Sequence, residues 1–575
     1  MISKKISSLI KESIEELQRE KKLIPFEIPK IQVERPEEKS FGDYSTNIAM
    51  LLAKILEKNP IEVANLLATK LDSQISKLFE AIEVIKPGFI NFFLLKKIWT
   101  TELKEILKEK EKYGSSKIGK GKTIVIDYSA PNIAKPFSIG HLRSTIIGQV
   151  IYNLYKFSGY KVIGDNHIGD WGTQFGKLIF AIKNWGDKKK ISQNPIKELQ
   201  NLYVNFHKEA ELKPELEEEA RKWFKKLEDG DKEAREIWKK CVKWSLDEFD
   251  QVYKLLGVKI DLTLGESFYQ PMLKDVIKEA VSKGIAKKSQ GAIIISFPNE
   301  ALPPLMIQKS DGATLYSTRD LATIKYRREK FKPFKIIYEV GADQILYLKQ
   351  LFWAAELLGW GKRNDYFHVA HGMMRLPTGG KMRTRKGEII LLEEVFKEAV
   401  KRAKEIVEKK NPDLNQKEKD KIAKIIGIGA VKYNDLSHHY SNDIIFDWEK
   451  ILNLEGNSGP YLEYTYARAR SILRKSKIKE SKDFKESELK EEKEIEVLKL
   501  LSQFPEVIER AVKSYSPNLL SNFLFELAKD FNAFYESLSV LNAENEESRL
   551  ALVSGVCQVL KNGLNLLGIE VLERI

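Results

Sequence analysis

Cysteine is nearly missing from this chain: its 575 residues contain two, Cys241 and Cys557, far apart in sequence. Two isolated thiols cannot make a Cys-rich zinc site and do not suggest a disulfide framework. No apolar run approaches the ~20 residues of a membrane span. The first residues, Met1-Ile-Ser-Lys-Lys-Ile, lack a long apolar segment and meet acids soon after, so no signal peptide is expected. A G-x-x-x-x-G-K-[ST] string is absent, and no G-x-G-x-x-G follows the first strong strand, which weakens the usual nucleotide-loop readings. These absences point to a soluble cytoplasmic protein. What is in excess is positive charge, a formal +14. That suits a polyanionic partner such as RNA, although Lys-rich helix faces that are merely solvated account for it equally well.

The length suggests about three or four domains. Residues 1–107 read as a separate α+β unit. Helical periodicity covers 6–17 and 60–71, and short strands at 82–85 and 89–93 flank a Pro87-Gly88 turn. Residues 108–122 are charged and Gly-punctuated, a linker composition. Within 108–390, strands and helices alternate from 123 to 185 and again from 335 to 370. That alternation predicts a doubly wound, Rossmann-like parallel sheet. An insertion at about 188–333 interrupts it, with charged helices carrying Trp223, Trp238 and Trp244, a strand at 291–297 and a turn-then-strand at 311–316. Residues 391–455 form a connecting helical region. Residues 456–575 predict an all-α bundle, with a charged, exposed stretch at 476–494.

Four strings carry the chemistry. The first is Asp127-Tyr-Ser-Ala-Pro-Asn132-Ile-Ala-Lys135-Pro-Phe-Ser138-Ile-Gly140-His141-Leu-Arg-Ser144, a strand end, a loop and a helix start. A helix start offers unpaired N–H groups and a positive dipole end to phosphate. The second is Asn166-His-Ile-Gly-Asp-Trp-Gly-Thr-Gln-Phe-Gly176, after another strand. The third is Gly379-Gly-Lys381-Met-Arg383-Thr384-Arg385-Lys-Gly387. The fourth, Gly459-Pro-Tyr-Leu-Glu-Tyr464-Thr-Tyr-Ala-Arg468-Ala-Arg470, opens the helical C-terminal part. Asp127, His141, Gln344 and His371 all follow strands, so they converge at the carboxyl edge of the sheet, where such folds bind ligands.

Ser138-Ile-Gly-His141 resembles the "HIGH" signature of class I aminoacyl-tRNA synthetases, and the string around it resembles the arginyl-tRNA synthetases specifically. The third string resembles a variant of "KMSKS". The resemblance covers essentially the whole chain. It implies ATP-driven activation of L-arginine and transfer to tRNA(Arg), with tRNA needed for activation. It also implies a tRNA-elbow-binding N-terminal domain, a catalytic core, an anticodon-binding C-terminal bundle and a monomer. Mg²⁺ would accompany ATP without a protein chelate, and neither zinc nor another resident metal is implied.

The resemblance also assigns residues. His141, Lys135, Lys381 and Arg385 would stabilise charge during catalysis. Gly140, His141, His371, Gly372, Met373 and Lys381 would hold ATP. Asp127, Asn132, Ser138, Tyr316, Asp320 and Gln344 would hold arginine, whose planar, always-charged guanidinium demands fixed carboxylates and neutral acceptors. Asn91 and Phe89 would meet the tRNA elbow, and Tyr464 and Arg468 the anticodon. For Asp320 the plain alternative is an ion pair with Arg319 or Lys325. Two departures stand out: Ser138 replaces the first signature His, and Arg383-Thr384-Arg385 replaces the usual Ser-Lys-Ser. They keep a non-catalytic tRNA-binding paralogue open as an alternative, beside a class I synthetase for another amino acid.

Overall fold

The computed structural model describes residues 1–72, 78–375, 390–478 and 484–575. The chain divides into two compact units. One comprises Met1–Gly114, Ala469–Glu506 and Lys529–Val559; the other comprises Ser115–Arg468, Val507–Ala528 and Leu560–Ile575.

In the first unit, Ile2, Ile6, Ile10, Ile14 and Leu17 recur at helical spacing, and the helix Ile2–Arg19 buries all five. Strands β1 (Tyr44–Thr46), β2 (Phe79–Ile85) and β3 (Phe89–Leu94) form an antiparallel sheet in the order β1-β3-β2. The expected strands and helices are present, each somewhat longer than its apolar pattern. The helices Ile48–Leu56 and Lys96–Glu109 were not anticipated. The second overturns part of the expected linker: burial of Leu103 and Ile106 carries the helix to Glu109, and a 3-10 turn, Lys110–Lys112, follows. The charged stretch at 476–494 is also not simply exposed. Its last residue, Glu494, is fully buried and accepts a 2.7 Å bond from Arg549 Nε.

The second unit is built on a five-stranded parallel sheet. It starts with β4 (Thr123–Asp127) and β5 (Lys161–Asn166), and β6 (Leu262–Thr263) comes from within the insertion. The insertion also folds an antiparallel sheet of β7 (Ala286–Ser289), β8 (Ala292–Ile295) and β9 (Leu305–Gln308). Strands β10 (Lys335–Gly341) and β11 (Tyr366–His371) then complete the parallel sheet in the order β11-β10-β4-β5-β6. β4 is central and buried from Ile124 to Asp127, which explains its unbroken apolar run. The helices Tyr316–Phe331 and Ile345–Leu357 bury Leu321, Ile324, Leu351 and Ala355 in one cluster with Val125 and Ile336.

The strand expected at 311–316 is not there. Thr314 makes one isolated bridge to Gln308, and Tyr316 already starts a helix. Thr318 Oγ1 accepts the Leu315 N–H at 3.2 Å and so ends the extended run. Past residue 390 the described chain is mostly helical, as the pattern predicts. One short parallel pair, Met374–Arg375 with Ile444–Ile445, is the exception. Among the described residues no helix is long and apolar enough to cross a membrane.

Candidate active site

The loop leaving β4 turns through three non-glycine residues with positive φ: Ser129 (73°), Ala130 (44°) and Ala134 (61°). Such backbone is costly and gathers where a site needs a shape that ordinary loops do not give. The loop delivers Ser138 to a 3-10 turn, Ile139–His141, and then to the helix Leu142–Phe157. The Ser138 N–H donates to His141 Nδ1 at 3.1 Å, and Ser138 Oγ lies 3.0 Å from the same atom. Nδ1 therefore carries the lone pair, and the neutral ring holds its proton on Nε2. Burial, reinforced by the charge on Lys135, lowers the His141 pKa and keeps the ring neutral. Lys135 itself is an exposed loop residue.

This helix start borders a cavity of about 420 Å³ lined by Ser138, Gly140, Arg143, Asp343, His371, Gly372 and Met373, among others. The expected ATP residues Gly140, His371, Gly372 and Met373 thus line one cavity, whose lining does not include His141. The two glycines differ. A Cβ on Gly372 would lie 2.6 Å from the Asn442 backbone, so the protein itself requires glycine there. A Cβ on Gly140 would meet nothing closer than Ser138 Oγ at 3.5 Å. His371 Nδ1 is held 2.9 Å from Glu339 Oε1. Burial opposes charge on His371, but Glu339 outweighs it and raises the pKa. Buried Arg143 pairs with Asp435 at 3.2 Å and donates to the carbonyls of Tyr440 and Asn442. That fixes the segment whose Asp443 accepts the Met373 N–H at 2.7 Å.

The expected arginine residues surround the same sheet edge. Tyr316 and Asp320 sit one turn apart on the helix Tyr316–Phe331. Tyr347 links them: its hydroxyl donates to Asp320 Oδ2, and its ring packs edge-on to Tyr316 at 4.9 Å. Of the two cations in the ion-pair alternative for Asp320, Arg319 lies 3.2 Å from Glu266 and Lys325 2.6 Å from Glu279, while the Arg319 charge still acts on Asp320. The protein packed around the Asp320 carboxyl pushes its pKa up, against the pull of His167, whose Nε2 lies 3.7 Å away. Asp127 is not free: its Oδ2 accepts from Arg327 Nη2 at 2.8 Å. Asn132 is exposed and pairs by its backbone with Gly169. Gln344 lies just past β10, and its amide donates to Asp343 at 2.6 Å.

In the first unit, Phe89 and Asn91 line a second cavity, of about 480 Å³, together with Arg35, Phe41, Asn47 and Lys86. Phe89 is exposed, whereas Asn91 is buried and its Oδ1 accepts from Ser45 Oγ at 2.7 Å. On the helix Gly459–Lys475, Arg468 is exposed, but the Tyr464 hydroxyl is buried without a hydrogen-bond partner. Tyr464 therefore turns its polar end inward rather than toward a docked base. Lys381 and Arg385 lie outside the described residues.

Comparison with known proteins decides the family. The family model for the class I (R) tRNA synthetase catalytic domain matches residues 102–448. The arginyl tRNA synthetase N terminal domain matches 4–94, and the DALR anticodon binding domain matches 462–575. The arginine–tRNA ligase of Halothermothrix orenii is 44% identical, covering 100% of this chain and 98% of that protein. That of Clostridioides difficile is 44% identical over 99% of both. The chain belongs to the arginyl-tRNA synthetase family.

The crystal structure of arginyl-tRNA synthetase from Plasmodium falciparum superposes with a TM-score of 0.84 at 29% identity, covering 100% of this chain and 99% of that one. The Thermus thermophilus arginyl-tRNA synthetase shares the fold, with a TM-score of 0.85 at 23% identity over 100% of both.

Three residues beside the candidate site were not read from the sequence. His167 directly follows β5, so the strand-end logic that found Asp127 applied to it equally. Tyr347 lies three residues after Gln344, one helical turn on. Arg327 carried no signal, since a lysine- and arginine-rich helix face reads as solvated.

Proposed function

We propose that this chain activates L-arginine with ATP, forming arginyl-adenylate and diphosphate, and then transfers arginine to the 3′ end of tRNA(Arg). The observation that carries this reading is Asp320. It faces Tyr347 and His167 while Arg319 and Lys325 make their ion pairs with Glu266 and Glu279, which supports a carboxylate that receives a guanidinium. Asp127 and Asn132 would meet the amino-acid ammonium and carboxylate, with Tyr316 and Gln344 completing the pocket. ATP would lie in the cavity at Gly140, His371, Gly372 and Met373. His141 would donate from Nε2–H to its phosphates. Because the ring stays neutral, it acts as a hydrogen-bond donor rather than a fixed charge.

Positive charge would come from Lys135, assisted by Lys381 and Arg385, with Mg²⁺ arriving on ATP rather than in a protein cage. Asn91 and Phe89 would read an unstacked base at the tRNA elbow, and Arg468 a phosphate near the anticodon. The N-terminal domain would span residues 1–107 and the anticodon-binding part 456–575. The enzyme would act as a cytoplasmic monomer. The mass of the purified protein by light scattering tests its oligomeric state: about twice 66.2 kDa would refute the monomer.

Arginine activation would itself require tRNA, whose end completes the site by induced fit. The test is ATP–diphosphate exchange across amino acids, with and without tRNA(Arg). Exchange with arginine alone, and only with tRNA, is expected. A site built for guanidinium hydrogen bonds should reject lysine by about 10⁴-fold. Exchange without tRNA refutes the tRNA requirement. Absence of exchange with any amino acid and tRNA favours the non-catalytic paralogue.

A further inference from the structure

Asp127 and Asp165 are register partners at the carboxyl ends of β4 and β5. Adjacent strands lie about 4.8 Å apart, so two like charges stand side by side where the sheet meets its ligands. One cation joins them. Arg327 has no solvent exposure; its Nη2 donates to Asp127 Oδ2 at 2.8 Å and its Nε to Asp165 Oδ2 at 2.9 Å. Its guanidinium carbon lies 5.4 Å from the Tyr338 ring centre. Two atoms of the cluster, Arg327 Nη1 and Asp165 Oδ1, are buried without a hydrogen-bond partner. Each such group costs free energy unless a further partner meets it. Arg327 also lies two helical turns after Asp320 on the same helix, so one rigid element carries both.

We propose that Arg327 is a positioning residue for amino-acid recognition. Anchored on Asp165, its fork clamps Asp127 Oδ2 and presents the remaining carboxylate oxygen to the substrate's ammonium. The inference rests on the reading of Asp127 as an arginine contact and adds the group that orients it. Two carboxylates facing one guanidinium leave one negative charge for the ammonium to neutralise. Burial pushes the Asp165 pKa up while Arg327 opposes it.

The alternative is that Arg327 only compensates buried Asp165. Arg327→Met/Asp165→Asn removes the fork together with one of the two charges it compensates, so that only Asp127 loses its cation. Thermal melting reports folding, and steady-state charging of tRNA(Arg) reports KM for each substrate. We expect the arginine KM to rise about tenfold or more, equivalent to about 1.4 kcal/mol, with the ATP KM within about twofold.

A folded double variant with parental arginine KM overturns the proposal. If it does not fold, Arg327→Lys asks the same question, because a lysine lacks the planar fork. An arginine KM within about twofold of the parent in that variant overturns it too. Asp127→Asn separates the two layers. A raised arginine KM there with a parental value in the Arg327 variants refutes the positioning role alone, whereas parental values in Asp127→Asn refute the pocket reading beneath it.

Discussion

Ser138 occupies the place of the first signature histidine, and its geometry gives it work that a hydroxyl and a backbone amide can do. Both point at His141 Nδ1 and set the proton on Nε2. The sequence made the substitution visible but not its consequence, because a tautomer depends on which atoms face each other. Asp320 was legible through family resemblance, but the sequence did not show that Arg319 and Lys325 pair with Glu266 and Glu279. Asp320→Asn should weaken arginine binding by about 2–5 kcal/mol, the cost of removing a desolvated charge partner. An arginine affinity within about twofold of the parent would remove Asp320 from the pocket. The pH dependence has a definite sign. Crowding raises the Asp320 pKa, and only the carboxylate accepts a guanidinium. Arginine kcat/KM should therefore fall on acidification at a higher pH than an exposed aspartate would give, and Asp320→Asn should abolish that limb. For Lys135, exposed on the strained loop, Lys135→Ala should slow single-turnover adenylate formation by about 10²–10³ with little change in arginine binding. A parental rate would assign the charge to other residues.

At the scale of elements, alternating strand and helix patterns placed the parallel sheet and hence the edge where ligands gather. The reason is physical: central β4 is buried from Ile124 to Asp127 and β10 from Ile336 to Glu339, while edge strand β11 is buried only at Tyr366 and Val369. What the pattern could not give was the switch at 311–316, where extended backbone lacks a full partner strand and Thr318 ends it by capping. Nor could it reveal the helix Lys96–Glu109, whose charged surface hides a buried Trp99–Leu103–Ile106 stripe. Two of the glycines that line the cavity, Gly140 and Gly372, offer a test at this scale. Gly372→Ala should lower the melting temperature, because overpacking against backbone costs about 1–3 kcal/mol. Gly140→Ala should melt like the parent, since its Cβ has room, but should raise the ATP KM by filling space a nucleotide would use. A Gly140→Ala variant with parental ATP KM would move adenine away from this helix start.

At the scale of the whole molecule, four strings pointed to the family, and three family models match successive parts of the chain, residues 4–94, 102–448 and 462–575. Composition alone could not have done so, because a charge of +14 has both a nucleic-acid and a solvated-surface reading. Salt dependence distinguishes them. If the excess charge meets tRNA, the logarithm of tRNA affinity should fall linearly with the logarithm of salt concentration, by roughly 0.7–0.9 per phosphate neutralised. Arginine and ATP constants should change far less. Residues of different chemistry should then act differently on that line. Asn91 carries no charge, so Asn91→Ala should weaken tRNA binding by about 1–3 kcal/mol at every salt concentration and leave the slope unchanged. Arg468→Ala should instead reduce the slope by about one phosphate's worth. Filter binding of tRNA(Arg) across a salt series measures both. A slope change in Asn91→Ala would mean that the variant disturbs a charged surface rather than a base contact. Unchanged tRNA affinity in both variants would place the tRNA on other faces of the protein.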